Sequence, residues 1–245
     1  MNKAAQNINA LLYGILRNLK KFKKNSHPKY VHKLRIKIKK LRAIFSFLNE
    51  TTFEQRFPEK ICRKLFKKAG ELRQWQLNLE LFQSFLEHII QIEDLKSKKI
   101  EKKFIRKISK YQKDIAQLIL NIKKEEYLPK KKKIKSYFDR QIRKAKTELS
   151  RNHNHSNLHL FRKRIKKIMY VYDFLPIKMQ KKFSLDTDYI NHLQKQIGKW
   201  HDTVTTIKYF EKIDFPVDKY ETLKIKEQSE YESLLKKCDD FIKEF

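Results

Sequence analysis

The stretches HKLRIKIKKLRAIFSFL (residues 32–48) and HLFRKRIKKIMYVYDFL (residues 159–175) align without a gap at an offset of 127, sharing His, Arg, Ile, Lys, Lys, Phe and Leu. In the first, Leu34, Ile38, Leu41, Phe45 and Leu48 return every three or four positions, the period of an amphipathic α-helix. About 40 residues further on, a second pair matches at an offset of 128. There Gly70-Glu71-Leu72-Arg73-Gln74 lies over Gly198-Lys199-Trp200-His201-Asp202, followed by Leu79 over Ile207 and Phe82 over Phe210. Two matches in the same order at nearly the same separation read as a tandem duplication. The expected repeats are 1–127 and 128–245, each about four helices. Duplicated antiparallel bundles are expected to pack about a pseudo-two-fold axis, bringing the two basic helices to a shared pore or groove.

Composition agrees with an all-α fold. Three glycines and five prolines in 245 residues starve a β-fold of turns and exclude the glycine-rich loops that cradle nucleotides. The 59 Lys+Arg against 28 Asp+Glu give a formal charge of +31, which calls for a polyanionic partner. Cys62 and Cys238 stand in no metal-like spacing and read as reduced residues of a cytosolic protein. No apolar run is long enough to cross a bilayer. The segment Ile8–Leu16 reads as a structural helix rather than a signal core, because Asn9 and Tyr13 interrupt it.

Helix boundaries are expected at Asn25–Pro28, Asn49–Thr52, Ile92–Asp94 and Tyr127–Pro129, then at Asn152–Ser156, Leu175-Pro176 and Phe215-Pro216. That makes about eight helices.

On a helix advancing about 100° per residue, His32, Arg35, Lys39 and Arg42 form a narrow stripe beside the apolar arc. His159, Arg162 and Lys166 repeat it, with Met169 at the fourth place; Lys40 and Lys167 lie off the stripe. No carboxylate interrupts either stripe, and like charges one turn apart destabilise a helix that has no ligand. Phosphate oxygens accept charge-assisted hydrogen bonds from such groups, arginine bonding two at once. Lys64, Lys67 and Lys68 before Gly70, with Lys195 and Lys199 around Gly198, are candidates for further lining. Residues 214–245 reverse the trend and are net acidic.

The paired His-x-x-Arg motifs with Lys39-Lys40-Leu41-Arg42 and Lys166-Lys167, together with the Gly70 and Gly198 segments, resemble the conserved-histidine α-helical domain (CHAD) family. The resemblance spans nearly the whole chain, duplication included. It implies a single domain of two four-helix bundles around a basic central pore or groove that binds inorganic polyphosphate. It also implies a non-catalytic module without a cofactor, associated with polyphosphate-metabolising enzymes or granules. Two positions depart from the family pattern. Gln74 replaces an acid, which bears on contacts between helices, and Met169 replaces a cation, which removes one phosphate contact.

Other constellations read as structural. His153, His155 and His159 are spaced like metal ligands but begin in a polar Asn/Ser stretch, with no cysteine or acid nearby. His201-Asp202 reads as a polar contact between helices, since its counterpart Arg73-Gln74 cannot do acid–base chemistry. The rival functions are nucleic-acid binding and a basic scaffold on ribosomes or membrane surfaces. Against nucleic acid, the stripes lack interleaved aromatics and Asn or Gln for base edges.

Overall fold

The computed structural model describes residues 3–52, 58–82, 87–122, 128–150, 153–183, 185–211 and 217–244. Among the described residues the fold is all-helical: α1 Lys3–Asn25, α2 Pro28–Thr51, α3 Glu59–Phe82, α4 Glu87–Asn121, α5 Lys131–Ser150, α6 His155–Phe174, α7 Ile177–Gln180, α8 Thr187–Phe210 and α9 Val217–Glu244. They form two compact units, Met1–Pro129 and Lys130–Phe245.

In the first unit each helix packs on the next and α1 closes against α4, an up-down-up-down bundle. The helix at Ile8–Leu16 is α1, and its Ile8, Leu12, Ile15 and Leu19 are fully buried. Helix α2 starts where proline can occupy the first turn without losing an intrahelical hydrogen bond. The His27 side chain caps it by accepting from the Lys29 N–H at 3.2 Å. Leu34, Ile38, Leu41, Phe45 and Leu48 are all fully buried, so the apolar arc read from the sequence is the core face.

The second unit repeats the plan with α5, α6, α8 and α9, the one-turn α7 lying between α6 and α8. Asn154 caps α6 by accepting from the Asn157 N–H at 2.9 Å. Leu158, Phe161, Ile165, Ile197, Cys238 and Phe241 meet in its core.

One expected boundary is absent. Helix α4 runs unbroken through Ile92–Asp94. The segment holds no glycine or proline, so nothing in it interrupts the helix. The expected boundary at Phe215-Pro216 lies outside the described residues, as do Tyr127 and Asn152. Both cysteines are free and buried, their thiols pushed up to about 12 chiefly by desolvation. No helix among the described residues is long and apolar enough to cross a membrane.

Candidate functional site

Each unit holds one arginine in an unusual seat. In the first unit, Arg35 of α2 donates from Nη1 to the Phe66 carbonyl of α3 at 3.0 Å. Its guanidinium lies where the Cβ of any residue larger than glycine at position 70 would fall. In the second unit, Arg162 of α6 donates from Nε to the Gln194 carbonyl of α8 at 2.9 Å, and a Cβ at Gly198 would come within 2.5 Å of Nη2 and 3.0 Å of Cζ. In both units the accepting carbonyl lies four residues before the glycine, so one device is built twice. The two matched sequence segments are thus the two halves of a single contact: an arginine from one helix seated on a glycine of the next.

The glycines are costly where they stand. Each lies midway along a 24-residue helix, where glycine is less favourable than alanine by about 0.5–1 kcal/mol. The close approach of the guanidinium supplies the physical reason for keeping them.

Burial lowers the pKa of Arg35, and neighbouring Arg73 lowers it further; burial is likewise the main cause of the lowering at Arg162 and Lys166. At Lys166 the second cause is Arg162 itself. Arg35 and Lys166 are thus stripped of water beside another cation, whereas at Arg162 the field of Asp202 works against the effect of burial. Among the described residues, none of Arg35, Arg42, Arg162 and Lys166 has a carboxylate within ion-pair distance. Arg164, two residues from Arg162, has a different role. It binds both carboxylate oxygens of Glu148 and, at 3.0 Å, the Gln141 side chain, a structural tie between α5 and α6.

The first stripe is gathered over a ring that sequence reasoning missed. The Phe66 centroid lies 4.3 Å from Arg35 Cζ, 5.3 Å from Arg42 Cζ and 5.9 Å from Lys39 Nζ. Such cation–π contacts fix three cations on one platform. The i, i+4, i+7 spacing of these cations was visible in the sequence, but nothing local marked Phe66 as their seat. At the corresponding place the second unit has Gln194, and Met169 stands for Arg42, so ring and cation are lost together. Met169 packs instead against the apolar core of that unit.

The remaining predicted residues fall as follows. His32 and Lys39 are exposed and Lys40 half-buried on α2; Lys166 and Lys167 are half-buried on α6. Lys64, Lys67 and Lys195 are exposed. Lys68 pairs with Glu71 at 2.7 Å and Lys199 with Glu230 at 3.1 Å.

His159 belongs to a column of rings. Tyr231 stacks on Trp200 at 5.4 Å, and Trp200 lies 5.5 Å from His155. His155 stacks on His201 at 4.8 Å, and His201 lies 4.7 Å from His159. His201 therefore sits between two imidazoles, beyond the polar contact expected of the His201-Asp202 pair; its Nδ1 is 3.8 Å from Asp202 Oδ1. No group of three or more His, Cys, Asp or Glu among the described residues is arranged to hold a metal ion.

The His159 pKa is lowered to about 4, first by burial, then by His201, Lys163, Arg162 and His155. Its Nδ1 is sealed from solvent with no hydrogen-bond partner among the described residues. The ring is thus neutral at pH 7 in the unliganded chain. Between the ordinary histidine value of about 6.5 and pH 4, the unfolded chain binds more protons than the folded one. Acidification through that window is therefore expected to lower the melting temperature, with the full loss reached below pH 4. Calorimetry from pH 7 to pH 4 checks this, and His159→Gln should lessen the drop; an unchanged profile in that variant would refute the assignment.

The family model for the CHAD domain matches residues 7–211. A solved structure, the crystal structure of the CHAD domain from the plant Ricinus communis, superposes with a TM-score of 0.64 at 12% identity, covering 99% of this chain and 91% of that one. No curated protein sequence matches the chain. With the matched segment spanning most of the sequence, and an all-helical fold shared with a CHAD structure, this chain belongs to the CHAD domain family.

Proposed function

We propose that the chain is a non-catalytic module that binds inorganic polyphosphate along its two basic stripes. The first is His32, Arg35, Lys39, Lys40 and Arg42, and the second His159, Arg162, Lys166 and Lys167. The observation that supports this most is the pair of glycine-seated arginines. Each is held by one backbone hydrogen bond, desolvated, and without a carboxylate at ion-pair distance among the described residues, Arg35 lying beside Arg73 and Arg162 in the weaker field of Asp202. Positioned, under-neutralised guanidinium groups match phosphate oxygens, and a thin chain without bases can follow a narrow stripe. The Phe66 ring is covered by cations rather than open to a nucleobase, which favours polyphosphate over nucleic acid. A cytoplasmic place beside polyphosphate granules or polymer-metabolising enzymes follows from the same reading.

Competition tests it. Labelled long-chain polyphosphate on the protein at near-physiological salt is challenged with duplex DNA, RNA, heparin and anionic vesicles at equal charge. Retention of polyphosphate is the expected result. Ready displacement by DNA or RNA would make the stripes a general anion surface, and displacement by vesicles a membrane coat. Fixed salt matters, because phosphate contacts release counterions and affinity falls steeply with ionic strength.

A further inference from the structure

The two stripes differ in one respect that the duplication makes measurable. Where the first unit has Arg73, the second has His201, and where the first has Pro28, the second has His155. The first unit therefore keeps a permanent cation near Arg35, while the second has three adjoining imidazoles beside Arg162. We propose that the His155–His201–His159 stack makes phosphate binding by the second unit strongly proton-coupled: the stack takes up a proton from solvent when a polyphosphate segment lies along Arg162 and Lys166, whereas the first unit, whose stripe carries the single exposed imidazole of His32, is coupled less. This rests on the polyphosphate reading above.

The geometry supplies the argument. Ring centroids 4.7 and 4.8 Å apart place a charge on either outer ring against His201, and a charge on His201 against both outer rings. One ring nitrogen in each of two rings, His155 Nε2 and His159 Nδ1, is buried without a partner among the described residues. A neutral ring can turn its lone pair to such a site at little cost, whereas a protonated ring would bury an N–H with no acceptor. Charges of both signs face the stack: Glu211 after α8, with Lys224 and Glu232 of α9, lines the cavity that reaches His155, and the cations that oppose protonation are Arg162 and Lys163 from α6 and Lys208 from α8. Against them stands Asp202 of α8, 3.8 Å from His201, while Glu227 of α9 is engaged by the Trp200 indole. Unliganded, His155 and His159 resist protonation. A phosphate chain along Arg162 would cancel the positive field that opposes it, so binding and proton uptake strengthen each other.

The test uses the full chain with Arg35→Ala and Arg42→Ala, which leaves the second stripe to bind. Affinity for long-chain polyphosphate is measured from pH 7.5 to pH 5 at constant ionic strength. Calorimetry in buffers of different ionisation enthalpy counts the protons. Long chains make the terminal groups, which titrate near pH 6, a negligible fraction. Affinity should tighten as pH falls, by up to about tenfold per pH unit for each proton taken up. The reciprocal variant, Arg162→Ala with Lys166→Ala, should show a shallower slope, which His32→Gln should flatten. His201→Arg, which restores the first unit's residue, should flatten the second stripe's profile while keeping its affinity, and His159→Gln should reduce the slope. A flat profile in the Arg35/Arg42 variant, or a slope untouched by both histidine replacements, overturns the coupling. Failure of the unmodified chain to bind polyphosphate at any pH overturns the polyphosphate reading instead.

Discussion

Replacing Arg35 and Arg162 together by alanine should weaken polyphosphate binding by roughly a hundredfold or more at physiological salt. A hydrogen bond to a charged group contributes about 1.5–3 kcal/mol, and each arginine is placed to make at least one with phosphate. The fold should survive, because the carbonyls of Phe66 and Gln194 lie inside α3 and α8, where the helices supply their own hydrogen bonds. The paired control is Lys131→Ala with Lys132→Ala at the exposed start of α5, which removes the same formal charge. Its loss should be small and should shrink further with salt. A companion substitution isolates the seat from the charge. Gly70→Ala with Gly198→Ala keeps both arginines, but the new methyls displace the guanidinium groups from their present positions. Releasing each side chain returns up to about 2 kcal/mol of rotamer entropy that binding must then recover. Affinity should fall by roughly tenfold or more, while melting temperature holds or rises with the better helix former. Equal losses for the arginine and lysine pairs would show that bulk charge does the binding. Unchanged affinity in the glycine variants would show that the seat is incidental.

Much of this site was legible because helices are periodic and the chain is duplicated. Arg35, Lys39 and Arg42 could be placed on one flank of α2 from spacing alone, and Leu34, Ile38 and Leu41 are buried as that spacing requires. Gly70 and Gly198 were visible as matched residues, but their task was not. It is a contact between helices some 35 residues apart in sequence, and periodicity describes one helix at a time. Phe66 was hidden for the same reason: it belongs to α3, and its partners belong to α2. His201 was legible as a contact between helices, but its partners were not. The rings that meet it, His155 and His159, come from α6, which no spacing around His201-Asp202 reveals. The missing boundary at Ile92–Asp94 reflects the weakness of acidic residues as stop signals. Without glycine or proline they open a helix as readily as they end one.

Phe241→Ala should be the most destabilising single replacement in the second unit among these tests, although residue 241 lies beyond the family match, which ends at 211. The reason is packing. Phe241 of α9 is fully buried and meets Phe161 of α6 edge to face, with centroids 5.0 Å apart. Cys238 and Leu234, one and two turns earlier, enter the same core. Helix α9 is tied down along its length as well. Tyr189 donates to the Lys237 carbonyl at 2.7 Å, Tyr231 to the His153 carbonyl at 2.9 Å, and Thr203 to Glu230 at 2.9 Å. Truncating a buried phenylalanine to alanine costs about 3–5 kcal/mol, a large share of the 5–15 kcal/mol that keeps an ordinary domain folded. Urea unfolding followed by Trp200 fluorescence in a Trp75→Phe background reports on this unit, because the indole stacks on Tyr231 of α9. The midpoint should move to markedly lower urea. Leu120→Ala, at a side chain that is 76% exposed on α4, should stay within about 0.5 kcal/mol of the parent. If the two variants unfold alike, α9 is not part of the core. The second basic stripe would then rest on α6 and α8 without the helix that the net-acidic end of the sequence supplies, and Arg162 would lose the rigid support that its seat on Gly198 requires.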